Sequence, residues 1–212
     1  MQAIDNLNAV CYIQFVPTEE RIARVEQILS TRQSDLRVVL EGVTIPHNAS
    51  AVMRTCDAAG VVYLDLISPN PELLNFNDSI TTGAHKWLEI EIHSSPADCL
   101  SKLKEKGMTV AATSLGKDSL PYTEFDFTRP TALVFGNESE GLSREALALA
   151  DVVIQIPMLG MVQSLNLSVS AAVILFEAVR QREKAGFFSS PRLEPEELDL
   201  LRRKWLRLPA DE

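Results

Sequence analysis

The sequence predicts an α/β fold, a mostly parallel sheet with helices on both faces. Strand candidates alternate with amphipathic helix candidates along the chain, which is the order that parallel β-α units require. Several strand candidates are apolar at nearly every position, as expected for strands that are covered on both faces. With 212 residues and 46% apolar content, the chain has the size of one ordinary domain, with or without appendages.

The individual elements follow from apolar periodicity and from the signals that start and stop helices. The predicted strands cover residues 37–43, 61–67, 88–92, 108–113, 131–136 and 151–157. The predicted helices cover residues 19–33, 48–60, 96–107, 143–150, 164–184 and about 194–207. Asn48 and Gly60 are the cap and the stop signal of the second helix. The stretch GFFSSPRLEP (186–195) has the composition of a linker between the last two helices.

Charge is distributed unevenly along the chain. The formal net charge is −9, which argues against nonspecific binding of nucleic acid by the chain as a whole. Basic residues nevertheless gather toward both ends. They include Arg21, Arg24, Arg32 and Arg37 in the early segment and Arg180, Arg182, Lys184, Arg192, Arg202, Arg203, Lys204 and Arg207 toward the other end. Two interpretations stay open, a local positive face or a mixed helix surface that contacts only solvent.

Cysteine usage and apolar runs predict the compartment. Cys11, Cys56 and Cys99 are odd in number and widely spaced, which is typical of a reducing cytosol and of neither a disulfide framework nor a metal-binding pair. The three histidines have no metal-ligand spacing, so we expect no metal. Since no segment approaches the ~20 apolar residues of a membrane span, we expect a cytoplasmic protein without a membrane partner.

Three loops that follow predicted strands predict a pocket. They are ATSLG (112–116), FGNESEG (135–141) and IPMLGMVQSLN (156–166). The carboxyl ends of parallel strands lie at one edge of a sheet, and ligands bind beyond that edge. Neither G-x-G-x-x-G nor G-x-x-x-x-G-K-[ST] occurs in the chain, so nucleotide binding by those loop types is not expected.

Each polar candidate residue in this region also has a purely structural interpretation. Asn48 fits a helix cap, Arg54 a surface residue, and Glu138 a solvated loop carboxylate. Ser164 and Asn166 both fit caps of the long helix that follows them. A helix needs only one cap, however, so this surplus of short polar side chains suggests that the loop also holds a ligand.

Three segments carry a resemblance to a known family. PHNASAVMRTCDAAG, FGNESEGLS and IPMLGMVQSLNLSVSAAVILFEAVRQR resemble the signature segments of the SpoU/TrmH branch of the SPOUT methyltransferases, in order over about residues 20–190. Enzymes of this branch transfer a methyl group from S-adenosylmethionine to a ribose 2′-hydroxyl of RNA. RTCDAAG, HKW, EALALAD and GMVQSLN are most similar to the enzymes that modify guanosine 18 in the D-loop of tRNA.

The resemblance implies a C-terminal trefoil knot, a homodimer with its active site at the subunit interface, and chemistry without a metal. It implies cofactor contacts from Thr113, Gly136, Ile156, Met158, Ser164, Leu165 and Asn166. It also implies that Arg54 acts on the 2′-hydroxyl, that Asn48 orients Arg54 or the RNA, and that Glu138 shapes the pocket or holds RNA. Ser164 and Asn166 would line the reaction site as well as cap the helix.

On this basis the chain divides into four parts. They are an N-terminal extension (1–17), a basic helix (18–36), the methyltransferase domain (37–186) and a helical tail (187–212). Two positions depart from the family pattern: Ile45 stands where a lysine is common, and Ser139 stands where a lysine follows the loop glutamate. Two alternatives stay open, a 2′-O-methyltransferase of ribosomal RNA and a non-catalytic RNA-binding protein with the same fold.

Overall fold

One parallel sheet organises the chain in a computed structural model that describes residues 16–43, 46–68 and 83–209. Its strands are β1 (Leu36–Glu41), β2 (Tyr63–Ile67), β3 (Glu89–His93), β4 (Thr109–Thr113), β5 (Leu120–Pro121), β6 (Thr131–Phe135) and β7 (Val152–Gln155). They lie in the order β3-β2-β1-β6-β4-β7-β5, and every neighbouring pair is parallel. The predicted α/β class is confirmed. Only β5 was not predicted, because two residues carry no periodicity.

The helices lie close to their predicted positions. They are α1 (Glu19–Leu29), α2 (Pro46–Ala58), α3 (Pro96–Glu105), α4 (Arg144–Leu149), α5 (Leu167–Lys184) and α6 (Pro195–Leu206), with short 3-10 helices at Ala84–Trp87 and Tyr122–Glu124. Thr18, Ser95 and Ser143 cap α1, α3 and α4 by accepting a backbone N–H bond. One predicted boundary is wrong: α2 begins at Pro46, so Asn48 lies inside the helix and is not its cap.

Apolar layers cover both faces of the sheet. On one face, α2 and α5 pack on residues such as Val38, Leu64 and Leu133. On the other face, α3 and α4 pack on Val39, Val134 and their neighbours. Because successive side chains of a strand point to opposite faces, the apolar strands supply both layers at once.

A third apolar cluster joins α1 to α6. Val25 and Leu29 of α1 pack with Leu201 and Trp205 of α6, and Leu193 of the predicted linker is buried in the same cluster. The tail therefore packs against the start of the chain, while the four-part division of the sequence stays a prediction. In the described residues, no helix combines the length and the apolarity that a bilayer crossing requires.

Several arginines of the two basic ends lie in the interior, which corrects the expectation that they form surface. Arg182 is fully buried and donates five hydrogen bonds, two of them to Asp35 and one each to Gln33, Phe127 and Arg129. Arg32 and Arg37 are also buried, and both bind carboxylates. These guanidinium groups hold the fold together and are not free for RNA.

Candidate active site

A cleft of about 360 Å³ opens at the carboxyl ends of β4, β6 and β7. Its walls come from residues 113–115, 135–141, 154–156, 158, 164–165 and one side of α5. The pocket predicted from the three strand-end loops is thus confirmed. Of the predicted site residues, seven line it: Thr113, Gly136, Glu138, Ile156, Met158, Ser164 and Leu165.

The floor of the cleft includes one face of α5 that sequence reasoning missed. Leu167, Ser170 and Ile174 line the cleft, while Ile174 also belongs to the apolar core. Their spacing of three and four residues places them on one side of a helix. That spacing was visible in the sequence, but it is equally typical of a core-facing stripe, so only the fold identifies the ligand-facing part.

Gly136 permits the tight loop that follows β6. A Cβ at this position would lie 2.1 Å from the carbonyl carbon of Gly141, far inside van der Waals contact. Asn137 and Gly141 exchange two backbone hydrogen bonds of 3.1 and 3.2 Å across the loop. The Asn137 side chain accepts two further bonds, from the N–H groups of Ser139 and Glu140. The loop is therefore closed on itself, and its two carboxylates, Glu138 and Glu140, are exposed and line the cleft.

Three side chains from distant segments form a hydrogen-bonded chain beside the cleft. Asn48 on α2 donates through Nδ2 to Glu138 Oε1 at 2.6 Å. Asn166 donates through Nδ2 to Asn48 Oδ1 at 3.3 Å. Asn48 is buried, so both polar atoms of its side chain are satisfied by these two partners. The chain fixes the loop after β6 and the loop before α5 against α2.

Asn166 has a second role as the cap of α5. Its Oδ1 accepts from the backbone N–H of Ser168 at 2.9 Å and from the Ser168 hydroxyl at 2.6 Å. Ser164 makes no such bond to the helix; it is exposed and lines the cleft. The expectation that both residues cap the helix is therefore wrong for Ser164.

Arg54 lies outside this cleft. It is exposed on α2, and its guanidinium makes no hydrogen bond or ion pair with the described residues. Since it follows Asn48 by six residues, it projects about 120° around the helix from it. The cleft of one chain therefore contains the predicted cofactor contacts except Asn166, which does not line it, and Arg54, predicted to act on the RNA, lies apart from it.

Cys56 shares α2 with these residues but is no nucleophile. Burial raises the pKa of its thiol to about 12, so the thiolate is scarce at physiological pH. Elsewhere, Asp65, His93 and Cys99 place candidate ligand atoms within 4.8 Å of one another. Arg37 already binds both oxygens of Asp65, and His93 donates to the same carboxylate, so we assign the cluster to a buried ion-pair network.

The sequence model of the SpoU rRNA Methylase family matches residues 35–176, two thirds of the chain. The chain belongs to this family. A tRNA (guanosine(18)-2′-O)-methyltransferase of Thermus thermophilus is 52% identical to it over 190 residues, which cover 90% of this chain and 97% of that protein. The crystal structure of the TrmH/SpoU tRNA modifying enzyme of A. aeolicus superposes with a TM-score of 0.83 at 44% identity, covering 89% of this chain and 96% of that one.

A third solved relative bears on the cofactor. The SpoU methyltransferase AviRb from Streptomyces viridochromogenes, solved in complex with AdoMet, matches with a TM-score of 0.61 at 28% identity, covering 73% of this chain and 62% of that chain. Members of the SpoU family use S-adenosylmethionine, and the chain is a methyltransferase of that type.

The cleft of this SpoU-family chain fits that cofactor in size and charge. Small-molecule sites have volumes of roughly 300–1,000 Å³ and mostly apolar walls, and Phe135, Ile154 and Ile156 supply such walls here. Glu138 and Glu140 place negative charge at the rim, which suits a sulfonium cation. Thr113 lines the cleft, and its hydroxyl donates to the carbonyl of Val134 at 2.9 Å, so the hydroxyl is already used within the fold.

Proposed function

We propose that the protein methylates the ribose 2′-hydroxyl of guanosine 18 in the D-loop of tRNA, with S-adenosylmethionine as the donor. The observation that carries the proposal is the strand-end cleft, which is closed on one side by the bonded chain Asn48, Glu138 and Asn166. The tRNA substrate is supported by the names of the Thermus and Aquifex relatives, each of which the chain covers almost completely.

The cofactor would be held mainly by main-chain groups. We assign this role to Thr113, Gly136, Ile156, Met158 and Leu165, which line the cleft. When bound, S-adenosylmethionine supplies a methyl group activated by a sulfonium sulfur. Ser164 lines the cleft and Asn166 caps the adjoining helix α5, and we assign both the role of orienting the ribose. Alignment of this kind can lower a barrier by about 7–11 kcal/mol in the best intramolecular reactions.

Arg54 would act on the RNA. A guanidinium stays protonated in proteins, so it is a poor general base but a good partner for a phosphate and for charge that develops on the 2′-oxygen. Within residues 16–43, 46–68 and 83–209 its guanidinium has no ion pair, so its five N–H donors are available to RNA. Glu138 accepts the 2.6 Å hydrogen bond from Asn48, so we assign it the role of fixing the loop after β6 against α2.

A homodimer would bring Arg54 to a cleft. Large apolar side chains lie exposed beside the cleft and on the outer face of α5. They are Leu159, Met161, Val162, Leu165, Val169 and Phe176. Large apolar side chains exposed in such number on one loop and the adjoining helix are typical of an interface between subunits. Because Arg54 of one chain does not line that chain's own cleft, we infer that it serves the cleft of a second copy.

Mixed dimers test both the function and this geometry. Arg54→Ala and Asn166→Ala are expected to lower methyl transfer to tRNA about 10²–10³-fold each, and only Asn166→Ala is expected to weaken cofactor binding by calorimetry. If Arg54 acts across the interface, an equimolar mixture of the two variants regains one intact site in half of the dimers. About a quarter of the wild-type activity should then return.

Two results would reject this assignment. Mixed variants that stay inactive while dimers exchange would place Arg54 in its own cleft. Full activity of Arg54→Ala, measured against Arg129→Ala as a control at another exposed arginine, would remove Arg54 from the chemistry altogether.

A second candidate substrate is ribosomal RNA, which the description of the matching family names. Mapping the methylated ribose in total tRNA and in ribosomal RNA from a strain without the modification distinguishes the two substrates. The trefoil knot and the cytoplasmic location also belong to the proposal; the first rests on the family, and the second on the tRNA substrate.

A further inference from the structure

The side chains that line the strand-end cleft are negative or neutral. Two of them are carboxylates, Glu138 and Glu140, and no lysine, arginine or histidine of the described chain lines the cleft. The other polar groups of the wall are hydroxyls and amides, which carry no charge. A ligand in the cleft therefore meets two negative charges and no positive one from these side chains.

Neither carboxylate is neutralised within the part of the chain that the structure describes. Glu138 Oε1 accepts its hydrogen bond from the uncharged amide of Asn48. The Glu140 side chain makes no hydrogen bond or ion pair within residues 16–43, 46–68 and 83–209, and only its backbone N–H is bonded, to Asn137 Oδ1. The partner's Arg54, which we propose to act on RNA, would offset one of the two charges and leave the other.

The methyl donor and its spent form differ in charge at a single atom. S-adenosylmethionine has a positive sulfonium sulfur, whereas S-adenosylhomocysteine has a neutral thioether sulfur and lacks the methyl group. Their adenine, ribose and amino-acid parts are identical, so a charged wall distinguishes the two ligands at the sulfur. A sphere with the volume of the cleft is roughly 9 Å across, which is about one Debye length, so dissolved salt screens the attraction only in part.

We propose that Glu140 favours the binding of S-adenosylmethionine over S-adenosylhomocysteine, and thereby promotes exchange of the spent cofactor. Of the two carboxylates, Glu138 is held by Asn48 and fixes the loop, whereas the Glu140 carboxylate has no such structural contact in the described chain. The inference rests on the proposed assignment of this cleft to the cofactor. It adds the side chain that sets the preference between donor and product.

Glu140→Gln removes the charge and keeps both the size of the side chain and the backbone bond to Asn137. A unit charge about 8 Å from a cation in a partly exposed site changes the affinity by about two- to fivefold. We therefore expect the variant to bind S-adenosylmethionine about threefold more weakly and S-adenosylhomocysteine as before. The ratio of the two dissociation constants, and not either one alone, reports the effect.

Calorimetry of the full-length protein without RNA measures this ratio. The preference for S-adenosylmethionine that Glu140 contributes should shrink as the salt concentration rises from about 0.05 to about 0.5 M. Sinefungin, which has an ammonium-bearing carbon in place of the methylated sulfur, keeps the positive charge. Its binding should therefore weaken in Glu140→Gln as that of S-adenosylmethionine does.

Three further variants separate charge from structure. Glu140→Asp keeps the carboxylate and should keep a ratio near that of the wild type. Glu145→Gln removes an exposed carboxylate of α4 that does not line the cleft, so its ratio should equal that of the wild type. Ser139→Lys adds a cation to an exposed position of the wall and should lower the preference for S-adenosylmethionine, as Glu140→Gln does.

The proposal is overturned if Glu140→Gln has the same ratio as Glu145→Gln, or if sinefungin follows S-adenosylhomocysteine in its response to the variants. Equal weakening of all three ligands in Glu140→Gln would make Glu140 a general contact and would also overturn it. A wild-type protein that binds none of the three ligands would refute the proposed cofactor cleft together with this inference. An unchanged ratio in a protein that methylates tRNA would refute this inference alone.

Discussion

Replacing Asn48 by Asp tests whether the bond from Asn48 to Glu138 holds the loop after β6 against α2. Asn48 Nδ2 donates to Glu138 Oε1 at 2.6 Å. Asn48→Asp replaces this donor by a second carboxylate, which repels Glu138. The acceptor Oδ1 is kept, and the hydrogen bond from Asn166 at 3.3 Å can persist. Because the two side chains have nearly the same shape, the substitution changes charge and leaves the packing of α2 intact.

The Asn48→Asp protein can tolerate the repulsion, protonate one carboxylate, or turn Glu138 away. The least costly of these three responses sets the loss in unfolding free energy. Two charges held 2.6 Å apart repel by about 1.6 kcal/mol in bulk water and by about 6 kcal/mol at an effective dielectric constant near 20. Protonating a carboxylate at pH 7 costs about 4 kcal/mol. Turning the exposed Glu138 into solvent forfeits one charge-assisted bond, worth about 1–2 kcal/mol at such a position. We therefore expect Asn48→Asp to lower the free energy of unfolding by about 1–2 kcal/mol.

Thermal unfolding followed by circular dichroism measures this loss. For a chain of this size, Asn48→Asp should lower Tm by about 2–8 °C. Adding Glu138→Gln reverses donor and acceptor, so the double variant should recover most of the lost Tm. Glu140→Gln is the matched control, because Glu140 is exposed in the same loop and does not contact Asn48. A double variant no more stable than Asn48→Asp would refute the reasoning, as would an unchanged Tm in Asn48→Asp.

The remaining predictions concern the loop, the interior and the thiol. Gly136→Ala should weaken S-adenosylmethionine binding at least about tenfold in calorimetry, because its Cβ would overlap the loop backbone. Gly160→Ala is the control and should bind the cofactor normally, since no described atom lies within 4 Å of its added Cβ. Arg182→Met should lower the free energy of unfolding, measured by denaturant titration, by about 3–5 kcal/mol, because it leaves buried acceptors unpaired. Arg180→Met, which removes an exposed ion pair, is the control and should lower it by less than about 1 kcal/mol. Cys56 should resist alkylation at pH 8 in the folded protein, as measured by peptide mapping. Because its pKa is raised on folding to about 12, its contribution to stability should decline as the pH rises above about 9.

Local sequence determined the elements and the position of the cleft. Largely apolar strands such as β6 predicted a sheet covered on both faces, because a strand that is buried on each side has few positions suited to polar residues. The strand-end loops at 112–116, 135–141 and 156–166 predicted the cleft, because parallel strands bring their carboxyl ends to one edge. Asn166 was predictable as a cap for the same local reason, since the bond it accepts spans only two residues.

Contacts between distant segments were decided only by the tertiary structure. Asn48 had the composition of a cap, yet α2 begins two residues earlier, which frees its side chain for Glu138, 90 residues away. Arg182 was expected to be a surface cation, yet it is buried, because five acceptor atoms surround it, two of them on Asp35. Periodicity reports which side of an element is apolar, but the partner of a buried polar group depends on which segments the fold brings together. The sequence therefore located the cleft, and the packing of α2 and α5 across the sheet determined which polar groups meet there.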